Sequence, residues 1–256
     1  MIDVTSADSA RSFKEVFSNR MRIRRAARLR ALIDAVWSER GRCRIVDLGG
    51  TRRYWQSVGI DYLRARNVSV LLVNRVPEAC PDAGNLFESV RGDALNLPGL
   101  EDCRFDIAHS NSVIEHVGGW KEKAAFAREA QRLGRRHYVQ TPNYWFPVEP
   151  HMGMPLIHFL PKPLQVRLIM LLRLNGWDRA RHDAVDAIRL AEGADMLDAR
   201  AMQAFFPHSR IEHEVIWPFT KSFIAIGDYV PPALSLDGFS ETTVRLLRDE
   251  PPPRSG

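Results

Sequence analysis

A carboxylate followed by two glycines is the stretch of this chain best suited to hold a ligand. The β-branched run Ile45-Val46 leads to Asp47, and Gly49 and Gly50 follow after one leucine. Glycine has no Cβ and tolerates a positive φ, so a strand–turn–helix junction of this kind lets ligand atoms approach the backbone closely. In an open α/β sheet such a turn lies in the crevice where ligands bind. Asp47 is then suited to accept hydrogen bonds from ammonium or hydroxyl groups, although two glycines after a strand also form ordinary turns.

Two histidines are candidates for proton transfer. His116 lies one turn into a predicted helix, and His151 follows Glu149-Pro150 in an aromatic, proline-rich segment. A neutral imidazole near pH 7 can take a proton from a hydroxyl or amine, which makes His151 the stronger candidate base and His116 the second. Each also has an ordinary interpretation, local packing for His116 and loop ordering for His151.

The residues beside His151 are candidates for substrate binding. Tyr144, Trp145 and Phe146 could form an aromatic substrate wall or pack that segment against the sheet, and Glu149 is a further candidate contact for the substrate. No metal site is predicted. The cysteines Cys43, Cys80 and Cys103 are far apart and form no CxxC pair, so they indicate reduced thiols in a cytoplasmic protein.

The composition is that of an ordinary globular protein. The 256 residues are 45% hydrophobic and 26% charged, and the net charge of +5 suits an acidic partner or simply solubility. The first residues lack the apolar core of a signal peptide, and no run of 18 apolar residues occurs, so no transmembrane segment is expected. The expected location is the cytoplasm.

Apolar strands alternate with amphipathic helices along the chain. This alternation predicts a parallel sheet with helices on both faces, and the short Pro-Phe-Thr link before the last strand predicts an antiparallel end. The predicted strands are 44–48, 69–74, 86–91, 105–109, 137–140, 211–217 and 221–226, and the predicted helices are 9–40, 54–66, 113–133 (broken near Gly118-Gly119), 163–174 and 198–206.

Residues 144–195 interrupt the alternation and are interpreted as a cap over the carboxyl ends of the strands. The helix 163–174 in this segment is apolar almost all round and has basic flanks. It is either the buried roof of a pocket or a surface that touches a membrane or a lipid-linked substrate. We expect residues 1–230 to form one domain, with the N-terminal helices at 1–40. Residues 231–256 are interpreted as a tail with room for a short helix, and its end, Pro-Pro-Pro-Arg-Ser-Gly, is expected to be disordered.

The N-terminal helix carries many arginines on one side, namely Arg20, Arg22, Arg24, Arg25, Arg28 and Arg30. A nucleic-acid face is conceivable, but no aromatic side chains are interleaved with these arginines. We therefore predict a solvated face and regard nucleic acid as an unlikely partner.

Four segments in order resemble the motifs of class I S-adenosylmethionine-dependent methyltransferases, in particular the bacterial type 11 methyltransferase domain. Asp47-Leu48-Gly49-Gly50-Thr51 resembles the glycine-rich cofactor motif, and Gly92-Asp93-Ala94 resembles the loop that binds adenine. The run from Phe105 to Val117 is similar to the fourth-strand signature, and that from Thr141 to His151 resembles the loop after the fifth strand. The similarity covers roughly residues 40 to 228.

The resemblance implies an α/β, Rossmann-like fold: a seven-stranded, mostly parallel sheet with an antiparallel C-terminal strand, helices on both faces and a cap insertion after strand 5. It also implies S-adenosylmethionine as cofactor. By the family pattern Gly49 and Gly50 approach its methionyl part, Asp47 its ammonium group, and Asp93 and Ala94 its adenine. Ser110 or Asn111 would line the path to the methyl group.

Two departures from the family pattern are visible. The second strand ends in Asn74, where the family commonly has an acid for the ribose hydroxyls, and the third glycine of the turn is missing. An amide can accept one hydroxyl, without charge assistance.

The resulting prediction is methyl transfer to a small-molecule acceptor, free, sugar-linked or lipid-linked, with a slight preference for O-methylation. An SN2 displacement requires mainly that the protein align the nucleophile with the methyl group. The alternatives are a catalytically inactive binding or scaffold protein with this fold and, last, a nucleic-acid methyltransferase.

Overall fold

The computed structural model describes residues 4–79, 85–172 and 183–230, with side chains from residue 21 onward. The predictions for Cys80 and for the tail 231–256 lie outside the described residues, as does part of the cap. The helices are α1 (Val4–Arg40), α2 (Arg52–Val58), α3 (Ile60–Ala65), α4 (Trp120–Leu133), α5 (Lys162–Leu172), α6 (Ala184–Glu192) and α7 (Ala199–Phe205).

Seven strands form one sheet in the order β3-β2-β1-β4-β5-β7-β6. They are β1 (Cys43–Leu48), β2 (Val68–Asn74), β3 (Phe87–Arg91), β4 (Phe105–Asn111), β5 (Gly134–Pro142), β6 (Arg210–Ile216) and β7 (Phe219–Asp228). The first five pair in parallel, and β7 runs antiparallel to both β5 and β6. The predicted seven-stranded Rossmann-like sheet with its antiparallel strand is confirmed.

The strand order reverses between β1 and β4. The chain passes from β1 outward to β2 and β3, then returns to place β4 on the other side of β1. Connections leave these two strands in opposite directions, so a crevice opens at their carboxyl ends. This is the edge at which the glycine turn was predicted to bind a ligand.

Successive side chains of a strand point to opposite faces of the sheet, so the core has two layers, one on each face. Val46 and Leu48 of β1 face the layer that contains α4 and α7, while Ile45 faces the layer that contains α1, α2 and α3. This two-residue period is that of a strand buried on both faces. A third, smaller apolar cluster joins α5 and α6 around Ile169 and Ala187, so the cap has a core of its own.

Some predicted elements differ in detail, and one predicted break is confirmed. The helix 54–66 is two helices, because Gly59 has φ of +106° and separates α2 from α3. The helix 113–133 is broken at Gly118-Gly119 as predicted, with a 3-10 turn at Ile114–His116 before the break and α4 from Trp120 after it. The fifth strand is longer than predicted and starts at Gly134.

The arginine side of α1 is not uniformly solvated as predicted. Arg22 and Arg24 are exposed, but Arg28 pairs with Glu212 of β6 at 2.9 Å and Arg30 donates to the carbonyl of Val58 at 2.7 Å. These contacts attach α1 to the sheet and to α2. They also supply donors to a partly buried carboxylate and a backbone carbonyl. The side chain of Arg20 lies outside the described residues.

Candidate functional site

The turn after β1 requires both of its glycines. Gly49 has φ of +77°, its N–H donates to the carbonyl of Val73 at 2.9 Å, and a Cβ there would lie 2.7 Å from the side chain of Val113. A Cβ on Gly50 would lie 1.6 Å from Oδ2 of Asp47. The side chains of Val113 and Asp47 therefore pack directly on the backbone of the turn, and only glycine fits at these two positions.

Asp47 lies beneath this turn and is fully buried. Its Oδ2 accepts from Nε1 of Trp55 at 2.7 Å, and its Oδ1 accepts from Nδ1 of His109 at 2.7 Å. In this structure the carboxylate is enclosed and holds two aromatic side chains under the turn, and the expected contact with a ligand ammonium, direct or through water, stays a prediction. Trp55 was not among the candidate residues, because its contact with Asp47 joins a helix to a strand and no helical pattern reveals it.

Asn74 at the end of β2 takes part in the same turn. Its Nδ2 donates to the carbonyl of Gly50 at 2.8 Å, and its side chain is half-buried. The amide nitrogen thus supports the turn, and the Oδ1 oxygen is the atom suited to a ribose hydroxyl. A carboxylate at this position would offer no donor to Gly50.

The loop after β3 places Asp93 and Ala94 at the same edge. Oδ1 of Asp93 accepts from the N–H of Leu95 at 3.1 Å, and its Oδ2 lies 3.5 Å from the guanidinium of Arg75. The Asp93 side chain is 49% exposed, so it can still contact a ligand. Ala94 packs against the core layer that contains α4.

The two polar residues that end β4 differ from one another. Ser110 is fully buried and donates from Oγ to the carbonyl of Leu48 at 2.9 Å, so it ties β4 to β1 and does not line an open path, which corrects that expectation. Asn111 is half-buried, and its Oδ1 accepts from Arg25 at 2.7 Å.

Arg25 of α1, which we predicted to lie on the solvated arginine face, is mostly buried at this edge, so that prediction is wrong for this residue. Its side chain is 12% exposed and pairs with the fully buried Glu214 of β6 at 2.6 Å. Burial alone would raise the pKa of Glu214, but the charge and hydrogen bonds of Arg25, together with Ser222, hold it below its usual value. The pair joins α1 to β6 and to the end of β4.

His116 and His151, the two candidate bases, lie together. Their rings pack edge to face with centroids 4.8 Å apart. Nδ1 of His151 donates to Oε1 of Glu149 at 2.6 Å, and Nδ1 of His116 donates to the carbonyl of Gly193. Both hydrogen bonds leave Nε2 as the nitrogen that can accept a proton or bind a ligand.

Glu149 and Glu115 flank the two imidazoles. Glu149 is buried and accepts from His151 and from the N–H of Met152, so it orients His151, which corrects the prediction that it binds substrate. Burial raises the pKa of Glu115, and its Oε2 accepts from Thr141 at 2.9 Å. Burial acts to lower the pKa of His151, but the hydrogen bond and charge of Glu149 outweigh it, so that this pKa is raised.

Two residues of the predicted aromatic wall, Tyr144 and Trp145, lie in one cluster with Phe159, and their role in substrate binding stays a prediction. Tyr144 meets Trp145 and Phe159 edge to face at 5.1 and 5.4 Å between centroids, and its carbonyl accepts from Nε2 of His158 at 2.9 Å. Trp145 is 62% exposed, whereas Tyr144 is half-buried. The cluster follows β5 at the edge of the sheet where the glycine turn lies.

Comparison with protein-family models gives one match for this chain, over residues 48–137, to a family described as methyltransferase domain. This range runs from the end of β1 to β5, and it includes the glycine turn, Asn74, Asp93 and His116. His151 and the cap lie beyond it.

A curated relative from Mycobacterium tuberculosis, present in two strains as an uncharacterized protein, is 35% identical over 77 residues. The match spans 30% of this chain and 25% of the relative, so the chain spans about a quarter of the length of the relatives it matches.

A solved structure from Rhodobacter sphaeroides, assigned by its description to the Zn-dependent alcohol dehydrogenases, shares the fold at 12% identity, with 73% of this chain and 85% of that chain covered and a TM-score of 0.50. A 1,6-didemethyltoxoflavin-N1-methyltransferase of Burkholderia thailandensis, with bound 1,6-didemethyltoxoflavin and S-adenosylhomocysteine, is 14% identical over 89% of this chain and 86% of that chain, with a TM-score of 0.48.

Proposed function

Because the chain carries a class I S-adenosylmethionine-dependent methyltransferase domain, we propose that it transfers a methyl group from this cofactor to a hydroxyl of a small-molecule acceptor. The observation that supports the proposal is the closeness of Gly49 to Val113, whose side chain lies 2.7 Å from the position of a Cβ on Gly49. The glycine turn is therefore next to the segment in which Glu115 and His116 follow Val113 by two and three residues. Cofactor cradle and candidate proton acceptors thus belong to one edge of the sheet.

S-adenosylmethionine fits this edge of the sheet, because Gly49, Gly50 and Asn74 are only partly buried and the Asp93 side chain is 49% exposed. Bound there, the cofactor supplies an electrophilic methyl group on a sulfonium. Gly49 and Gly50 would hold the methionyl part, the Oδ1 of Asn74 a ribose hydroxyl, and Asp93 with the N–H of Ala94 the adenine. Asp47 acts from below by fixing the turn through Trp55 and His109.

The acceptor would lie between the aromatic cluster and the two imidazoles. Nε2 of His151 is placed to receive the acceptor's hydroxyl proton, since Glu149 occupies Nδ1 and fixes the ring. His116, whose Nδ1 is held by Gly193, would be the second contact. Alignment of the hydroxyl oxygen with the methyl group supplies most of the rate enhancement in a displacement of this type.

We further infer that the acceptor has an apolar part. Large apolar side chains of the cap are exposed beside the loop that holds His151, among them Trp145 at 62%, Leu156 at 56% and Leu171 at 77%. Apolar surface of this kind suits a lipid-linked acceptor or contact with a membrane surface. No helix in the described parts of the chain is both long enough and apolar enough to cross a bilayer.

We place the reaction in the cytoplasm. Cys43 and Cys103 are both free thiols among the described residues, which agrees with a reducing compartment.

The proposal is tested by calorimetry with S-adenosylhomocysteine, followed by transfer of a labelled methyl group to a panel of hydroxyl acceptors that includes lipid-linked ones. We expect micromolar binding, a loss of at least tenfold in Asp93→Ala, and wild-type binding in Asp61→Ala, which removes a fully exposed carboxylate from α3. Absence of binding by the wild-type protein would refute the proposal.

A second candidate is a cofactor-binding protein without turnover. It is favoured by the internal use of Asp47 and Asn74, two side chains that the family pattern assigns to the cofactor. Binding of S-adenosylhomocysteine with no labelled product from any acceptor in the panel would support this candidate.

A further inference from the structure

We propose that Glu115, His116 and His151 form a binding site for a divalent transition-metal ion of the zinc type. One donor atom from each residue lies within 4.8 Å of those of the other two. Two imidazole nitrogens and one carboxylate oxygen are a common donor set of catalytic zinc sites, and imidazole favours zinc over magnesium or calcium.

The observed spacing is close to that of a formed site. Donors about 2.1 Å from a tetrahedral ion lie roughly 3.4 Å from each other, so binding would draw donors now within 4.8 Å together by up to about 1.4 Å. The side chains of His116 and His151 are 38% and 27% exposed, so both have room to shift toward an ion. Glu115 is fixed, because its Oε2 already accepts from Thr141.

Hydrogen bonds on the far side of both rings match those of metal-bound histidines. A ligating imidazole nearly always donates its other N–H to a carboxylate or a backbone carbonyl, which sets the tautomer and aims the free nitrogen at the metal. His151 donates from Nδ1 to the carboxylate of Glu149, and His116 donates from Nδ1 to the carbonyl of Gly193. Because both Nδ1 atoms are bonded in this way, Nε2 is the atom of each ring that can bind a metal ion.

The third donor provides independent evidence. Oε1 of Glu115 has no hydrogen-bond partner among the described residues, and the whole side chain is buried from solvent. Nε2 of His116 lies 4.0 Å from this oxygen. An unpartnered buried oxygen is costly, and a bound cation would satisfy it.

Three protein ligands leave at least one coordination position for another molecule. On the basis of the proposed function, that position would take the acceptor's hydroxyl, and the acceptor would be one whose oxygen binds metal ions. The ion would lower the pKa of a bound hydroxyl, so that its proton would pass to solvent water. The oxygen would then bond to the methyl carbon as the carbon–sulfur bond of the cofactor breaks and S-adenosylhomocysteine leaves. With the ion bound, His116 and His151 act as ligands, and the cation takes over the role assigned above to the free imidazole.

The test uses untagged protein treated with a chelator and then titrated with Co²⁺, Zn²⁺ and Mg²⁺. We expect one equivalent of Co²⁺ to give the visible absorption of a low-coordinate site, Zn²⁺ to displace it, and Mg²⁺ to have no effect. Elemental analysis after dialysis should show one zinc per chain.

Variants separate the site from other histidines. Glu115→Gln, His116→Ala and His151→Ala should each lower zinc affinity at least tenfold, while Glu149→Gln should lower it by about 10- to 100-fold through the tautomer of His151. His208→Ala, which removes an exposed histidine away from the cluster, should bind zinc like the wild-type protein.

Binding of S-adenosylhomocysteine, measured on the same samples, serves two purposes. If it is retained by the variants, loss of zinc is not caused by unfolding. A wild-type protein that binds S-adenosylhomocysteine but no Zn²⁺ or Co²⁺ would overturn the metal site and leave the proposed function intact. Zinc binding without S-adenosylhomocysteine binding would refute the proposed function and leave the metal site intact. Equal zinc binding by wild type and the His116→Ala/His151→Ala double variant would also overturn the site.

Discussion

The amide nitrogen of Asn74 donates a 2.8 Å hydrogen bond to the carbonyl oxygen of Gly50. This contact explains why an amide is compatible with a position where the related family commonly has an acid. A carboxylate cannot donate at neutral pH and would face the carbonyl with a lone pair. The residue that departs from the family pattern is therefore part of the glycine turn itself.

Restoring the family's acid should destabilise this protein. In Asn74→Asp the carbonyl of Gly50 loses its donor, and we expect the free energy of unfolding to fall by about 1 kcal/mol in urea titrations without ligand. Gln56→Glu makes the same chemical change at an exposed position of α2 and should be within about 0.5 kcal/mol of wild type. An Asn74→Asp protein as stable as its control would contradict this account of the turn.

Gly50 should tolerate no side chain. Alanine would place its Cβ 1.6 Å from Oδ2 of Asp47, so Gly50→Ala should lower the free energy of unfolding by about 3 kcal/mol and weaken S-adenosylhomocysteine binding. Gly99→Ala is the matched control, because no atom lies within 4 Å of a Cβ there. Similar stability and ligand affinity of the two variants would show that the turn is looser than described.

The pair of Arg25 and Glu214 should be a major attachment of α1. Arg25→Met leaves a carboxylate with a 0% exposed side chain next to an apolar group, and we expect a loss of about 3–5 kcal/mol in unfolding free energy. The double variant Arg25→Met/Glu214→Gln should recover part of it, since the buried charge is gone. Arg64→Met, which breaks an exposed pair with Asp61, should change stability by less than about 0.5 kcal/mol. Equal effects of the two single variants would refute a structural role for the buried pair.

His137 should make the protein less stable in mild acid. Burial lowers the pKa of His137 from 6.5 to about 4. Its Nε2 lies 2.6 Å from Oγ of Ser209. The unfolded chain therefore binds this proton first as the pH falls, so stability decreases from about pH 6.5 down to about pH 4, by about 3 kcal/mol in all. Denaturant titrations at several pH values from about 7.5 to about 4 measure this loss of stability. In His137→Phe the slope over this interval should be smaller, and an unchanged slope would assign it to other groups.

Much of the fold could be predicted because it depends on local patterns. The apolar run of β2 and the glycines after β1 each act within a few residues of the chain, and the structure has both. The division of a predicted helix at Gly59 was missed, since an amphipathic pattern continues on both sides of it. A positive φ at one glycine interrupts a helix without altering the apolar pattern.

The sequence by itself determined the order of the elements, the two-glycine turn and the identity of the residues at the carboxyl ends of the strands. Tertiary structure decided which of these face a ligand. Asp47 and Ser110 are enclosed, Glu149 serves His151, and Arg25 reaches Glu214 across 189 residues of chain. The cluster of Glu115, His116 and His151 likewise joins two separate segments. Side-chain direction and burial depend on packing between elements distant in sequence, and no local pattern encodes them.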